Sequence, residues 1–317
     1  MSESYDFDPG PWEGYNFASA RAAYDKDAGK TYEEAKVKNV SVSSLFPKSL
    51  QTNCKHPVVI AIDVTASMEE WPATIFEKLP LLDLEGKTYL EDQEISFSAV
   101  GDTVYDKYSF QAQEFAKGKT LVEKLKKLMQ EGGGGPGSKE SYHVPALYYA
   151  NNCTMPNAQK PLFIYIGDEG IYDSITKEDA KKFAHTDIAQ PMSTNDIFSE
   201  LTEKFSVYCI RKLFRCTENN RSKRDIEIQE QWEYHLGKDH VIVLPEPRRV
   251  VDVILGIYAK ETNKTDYFVT ELSERQTPVQ VEEVMSALKS VHDPLLLRSK
   301  NSVVSVSGKS VKSSKLL

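Results

Sequence analysis

Short apolar runs alternate with polar, helix-patterned stretches over most of this chain. The runs at 58–62, 95–100, 162–166, 205–210 and 241–244 are rich in Val, Ile and Leu. Near-continuous apolar runs of this length predict strands buried on both faces, as a parallel sheet requires. Between them, helical periodicity fits 72–82, 120–129, 141–151, 194–204 and 248–261. A further segment, 108–115, follows the second run too closely for a helical crossover, so it is expected as an antiparallel edge partner. The predicted fold is α/β: a Rossmann-like, doubly wound, mainly parallel six-stranded sheet with one antiparallel edge strand.

The ends of the chain read differently. Residues 1–53 are polar, carry the aromatics Tyr5, Phe7, Trp12, Tyr15 and Phe17, and are interrupted by Pro9, Gly10, Pro11 and Gly14. They predict a partly helical arm, with short helices near 18–24 and 32–37, that packs back on a main domain spanning 54–272. Residues 273–317 predict one amphipathic helix over 279–291, then a Ser, Val and Lys tail with no acidic residue beyond Pro294, expected to be disordered.

Composition narrows the function. A chain of 317 residues with 40% hydrophobic content buries one large core. A formal net charge of -8 argues against general attraction to nucleic acid. No stretch approaches the roughly 20 apolar residues that span a bilayer, and the opening MSESYDFDPG has neither the basic nor the apolar region of a signal peptide. A cytoplasmic protein without membrane association is expected. Cys54, Cys153, Cys209 and Cys216 show no CxxC spacing, which predicts reduced thiols.

Candidate chemistry sits where predicted strands end. Asp63, Thr65 and Ser67 follow the first run and deliver one carboxylate and two hydroxyls at alternate positions. Hard cations such as Mg2+ take oxygen ligands and keep several waters, so this spacing suits Mg2+ or Mn2+. Gly132 to Gly135 form a glycine-rich loop leading to Ser138, Glu140 and Ser141, and Asp168 and Glu169 follow the run 162–166. Ligands of open α/β sheets bind beyond the carboxyl ends of the strands. Plainer readings exist for each element alone: Ser67 with Glu70 fits a capping box, and the glycines suit a tight turn.

Together, DVTASM, ISFSAVGD, the GGGG loop running into ESY, and the strand ending in GDE resemble the von Willebrand factor A (vWA) fold over 54–272. The likeness is to intracellular, prokaryotic-type members with a metal-ion-dependent adhesion site. The resemblance implies that Asp63, Thr65, Ser67 and Asp168 hold the metal, with Ser138, Glu140 and Ser141 as candidates for the second-loop ligand. Asp102 and Glu169 are expected behind them as supporting groups. It further implies a protein-interaction module without turnover, whose metal recruits an Asp or Glu carboxylate from a protein partner. Family precedent points to AAA+ ATPases or other large assemblies.

The residues also admit two alternatives. Asp63 with Asp168 and Asp173 also resembles haloacid-dehalogenase-type Mg2+-dependent phosphohydrolases, although Thr65 stands where their general acid is required. A vWA scaffold with a vestigial metal site is the other, because Ala66 stands where relatives commonly have glycine. A nucleotide-binding P-loop is disfavoured, since Gly137 is followed by Ser138 and Lys139 rather than Lys-Ser or Lys-Thr.

Overall fold

The computed structural model describes residues 45–68, 70–129 and 137–291. The arm as far as residue 44, the glycines of the loop at 132–135 and the basic tail lie outside the described residues. The main sheet is six-stranded. Its strands are β1 (His56–Asp63), β2 (Gln93–Val100), β3 (Phe110–Ala112), β4 (Leu162–Gly167), β5 (Ser206–Arg211) and β6 (Val241–Val243). Their spatial order is β6-β5-β4-β1-β2-β3, parallel throughout except that β3 runs antiparallel to β2.

The order reverses between β1 and β4. From β1 the chain winds outward through β2 and β3, then returns to β4 and winds the other way, which leaves a crevice at the carboxyl ends of those two strands. Register brings the ends level: Asp63 pairs with Val100, and Gly167 with Arg211. The residues that follow these strands therefore emerge at one edge of the sheet.

Side-chain alternation along the strands builds two cores. Val58, Ile60, Ile62, Ile164 and Ile166 face one side, with helices α1 (Glu70–Glu77), α2 (Leu79–Tyr89) and α8 (Val250–Glu261). Val59, Ala61, Phe163 and Tyr165 face the other, against α4 (His143–Asn152), α6 (Thr194–Lys204) and α7 (Lys223–Leu236). The remaining α-helices among the described residues are α3 (Thr120–Lys126), α5 (Lys177–Ala184), α9 (Thr265–Arg275) and α10 (Pro278–Ala287).

Several local expectations are corrected. The helix expected over 72–82 is two helices that break at Lys78, with Pro80 in the first turn of α2. Proline has no amide proton and its ring clashes with the carbonyl four residues back, so one helix cannot run through it. Helices α5, α7 and α9 had no counterpart in the hydrophobic pattern. The reason is visible in α7, where Ile228 and Trp232 are buried while Ile226 and Tyr234 are exposed, so its apolar residues form no single stripe. Beyond residue 272, Val284, Leu288 and Val291 are buried in the same cluster as α8. At the other end, Phe46 packs on Phe110 and Tyr148, so the start of the described chain is part of the second core.

All four cysteines are free. Among the described residues, no helix is long and apolar enough to cross a membrane.

Candidate functional site

Asp63 closes β1 and is fully buried. A buried carboxylate needs donors, and this one has three. Its Oδ1 accepts from the Thr65 amide (2.9 Å) and the Thr65 hydroxyl (2.6 Å), and its Oδ2 from Tyr142 Oη (2.8 Å). The chain then makes a short 3-10 turn over Ala66–Met68. That turn directs Ser67 Oγ to Asp168 Oδ1, 3.1 Å away, and brings it within 3.5 Å of Thr65 Oγ1. Asp63, Thr65, Ser67 and Asp168 thus form one continuous polar chain across the crevice between β1 and β4. The serine that local sequence could assign to helix capping bridges two strand ends.

The crevice gathers acidic side chains out of water. Burial, then the charge of Asp168, pushes the Asp63 carboxyl up to about 7, against the pull of its Thr65 and Tyr142 hydrogen bonds. Burial also raises Asp168, with Lys212 and the Ser67 hydroxyl opposing. Glu140 is pushed up to about 11 by burial and then by Asp63, Glu169, Asp106 and Asp102. Glu169 rises to about 7 through burial and the charges of Asp168 and Asp63. Like charges held together out of water each favour protonation of the others. A bound cation reverses that balance.

The three second-loop candidates separate cleanly. Ser138 accepts from Arg224 Nε and lines a groove of about 580 Å³ with Lys139, Asp173 and Tyr234. Ser141 Oγ bonds to the amide and hydroxyl of Thr103, both at 3.0 Å, and so secures the turn after β2. Glu140 alone among them is an acid that the charge of Asp63 pushes up, and its Oε2 is buried with no hydrogen-bond partner among the described residues. A short parallel ladder, Lys139–Glu140 beside Gly170–Ile171, puts the side chains of Lys139 and Glu140 on opposite faces, Lys139 towards the groove.

Asp102 reaches Glu140 through its charge. It accepts from the Val104 amide and from Tyr172 Oη, both at 2.8 Å. Its role in the fold is to shape the turn over residues 101–106. Glu169 is half-buried, and its carbonyl accepts from Trp232 Nε1 (2.9 Å), which fixes the loop to α7. Asp173 is 83% exposed in its side chain and pairs with Lys139 at 3.1 Å, so it belongs to the groove and is not gathered with Asp63.

Three participants escaped the sequence reading. Tyr142 holds Asp63 from the start of α4, and Gly167 makes room for its phenol, because a Cβ at Gly167 would collide with Tyr142 Oη. Lys212, the first residue after β5, places its ammonium 4.0 Å from Asp168 Oδ2 and donates to the Ser67 carbonyl. Its position one residue past a strand end was the available signal. Beside it, fully buried Arg211 pairs with fully buried Asp225, which Arg221 also contacts. That pair anchors the turn carrying Lys212.

Among the described residues, no group of three or more His, Cys, Asp or Glu side chains is placed to hold a metal ion. A cation in this crevice would therefore rely on the Thr65 and Ser67 hydroxyls and on water beside Asp63 and Asp168. Mg2+ tolerates that donor set, whereas zinc favours clustered His and Cys.

No family model matches the sequence, and no curated protein matches it. Two crystal structures of the pilus adhesin SpaC from Lactobacillus rhamnosus GG, one in an open conformation, align with TM-scores of 0.44 and 0.43 at 8% and 11% identity. Each alignment covers 68% of this chain and 31% of the adhesin.

Proposed function

We propose that this protein is a vWA-type, metal-dependent interaction module that binds a partner's carboxylate through Mg2+ or Mn2+. The observation that carries the reading is the Ser67 bridge to Asp168 at 3.1 Å, which joins the first and third loops at the reversal of strand order. Thr65 and Ser67 would offer hydroxyl oxygens, Asp63 would act largely through water, and Asp168 would supply a carboxylate oxygen or a water contact. Glu140 is the second-loop group best placed to join them, since its Oε2 is buried and has no hydrogen-bond partner among the described residues. When bound, the metal supplies a concentrated positive charge on an acidic protein, which attracts an Asp or Glu side chain.

The chain's own residues set how strongly it does so. Mainly neutral ligands leave a divalent cation electron-poor, so a carboxylate from outside is bound firmly. A charged Glu140 ligand would weaken that attraction. Large assemblies such as those built on AAA+ ATPases fit as partners by family analogy alone.

The phosphohydrolase alternative loses support from the geometry, because its third acid, Asp173, faces Lys139 in the groove. The vestigial-site alternative is separated by titration. Calorimetry with Mg2+ and Mn2+ on the wild type and Asp63→Ala should give saturable binding in the first alone. A blocked peptide with a single aspartate should then bind the metal-loaded wild type and be released by EDTA. Absence of metal binding in the wild type would leave an inert scaffold.

A further inference from the structure

Lys212 is held at two points. Its amide donates to the Gly167 carbonyl (2.9 Å), tying the start of the turn after β5 to the end of β4. Its ammonium donates to the Ser67 carbonyl and faces Asp168 Oδ2 at 4.0 Å. Asp168 therefore meets the Ser67 hydroxyl on one oxygen and a protein cation on the other. The lysine side chain is 33% exposed, whereas that of Asp168 is 2% exposed, so the ammonium stands at the mouth of the crevice with water on its far side.

A divalent cation bound by Ser67 and Asp168 would stand beside this ammonium. The two cations repel, and both draw on one carboxylate. The lysine can yield, because its ammonium ends a flexible four-carbon stem. Arg215, further along the same turn, lies over the Phe214 ring at 4.9 Å.

We propose that Lys212 is the specificity-determining residue of this site: it satisfies Asp168 when no metal is present and, displaced by the metal, binds the second oxygen of an incoming carboxylate. The inference rests on the metal-dependent reading above and names what the site selects. A carboxylate offers one oxygen to the metal and one to the ammonium. An amide of the same shape has a single acceptor oxygen and gains nothing from Lys212. Partners presenting Asp or Glu are preferred over Asn or Gln for that reason.

The test uses the full chain, with Lys212→Met and Lys212→Arg. Mg2+ affinity is measured by calorimetry. Binding of blocked peptides carrying one Asp or one Asn is then followed at saturating Mg2+. Lys212→Met should bind Mg2+ about two- to fivefold more tightly, as expected for loss of a partly exposed competing ion pair. It should bind the Asp peptide about tenfold more weakly, the weight of one charge-assisted hydrogen bond, and the Asn peptide unchanged. Lys212→Arg should restore part of the preference for Asp. Opposite movement of the two affinities is the signature, since general damage to the loop would weaken both. Normal Mg2+ binding with Asp capture unchanged in Lys212→Met overturns the role of the lysine alone. Absence of Mg2+ binding in the wild type overturns the metal reading and this inference together.

Discussion

Tyr142 spans the crevice to donate to Asp63 Oδ2 at 2.8 Å, and Gly167 lies directly under its phenol. The two are coupled through space, because any Cβ at 167 displaces the hydroxyl that satisfies the buried aspartate. Gly167→Ala should cost about 1–3 kcal/mol of stability by overpacking. Tyr142→Phe keeps the ring against Trp232 (5.0 Å between centroids) but removes the donor, at a cost of about 1–3 kcal/mol. Urea titrations of both variants check this, and an unchanged midpoint for Gly167→Ala would contradict the packing account.

The pH dependence of stability carries the signature of the acidic crevice. Asp63 titrates at about 7 in the fold against an ordinary value of 3.8, and Glu169 at about 7 against 4.5. Between those limits the folded chain keeps protons that the unfolded chain has lost. Unfolding free energy therefore falls as pH rises from about 4 to about 7. The metal-free protein should have a lower urea midpoint at pH 7.5 than at pH 5, and Asp63→Asn should flatten that slope. Mg2+ binding near pH 6 should release protons, measurable by calorimetry in buffers of different ionisation enthalpy.

Glu140 and Ser138 should part company on metal binding. Glu140→Gln replaces an acid whose carboxyl is pushed up to about 11, and thus neutral at pH 7, with a neutral isostere. Little change in metal-free stability is expected, with Mg2+ affinity weakened about tenfold or more. Ser138→Ala should leave Mg2+ affinity unchanged, because that hydroxyl is engaged by Arg224. Equal loss in both variants would show that the loop as a whole, and not Glu140, supports the metal.

Asp225 is expected to be among the most sensitive positions outside the crevice. Its carboxylate meets fully buried Arg211, Arg221 and the Phe214 amide (2.9 Å). Asp225→Ala leaves a buried guanidinium without its counter-charge, a change that costs about 3–5 kcal/mol. Denaturant melts decide it, and a loss under about 1 kcal/mol would mean that water or a side-chain shift compensates Arg211.

The sheet was legible in the chain because its strands are buried on both faces. An apolar run such as 162–166 has one stable placement, and that placement carries Asp168 to the end of a central strand. The same logic located Asp63, Thr65 and Ser67. Helix α7 was illegible because exposed Ile226 and Tyr234 blur the stripe formed by buried Ile228 and Trp232. The break before α2 was written in Pro80, yet hydrophobic periodicity runs across it.

By itself, then, the sequence determined the α/β layering and which acids and hydroxyls end the strands, since burial and strand period are local properties of a pattern. The tertiary structure decided which of those groups meet. Ser67 reaches Asp168 across 101 positions of sequence, Tyr142 reaches Asp63 across 79, and Lys212 joins them from a third strand. Those contacts depend on the reversal of strand order between β1 and β4. It is set by long-range packing, which no local run of residues encodes.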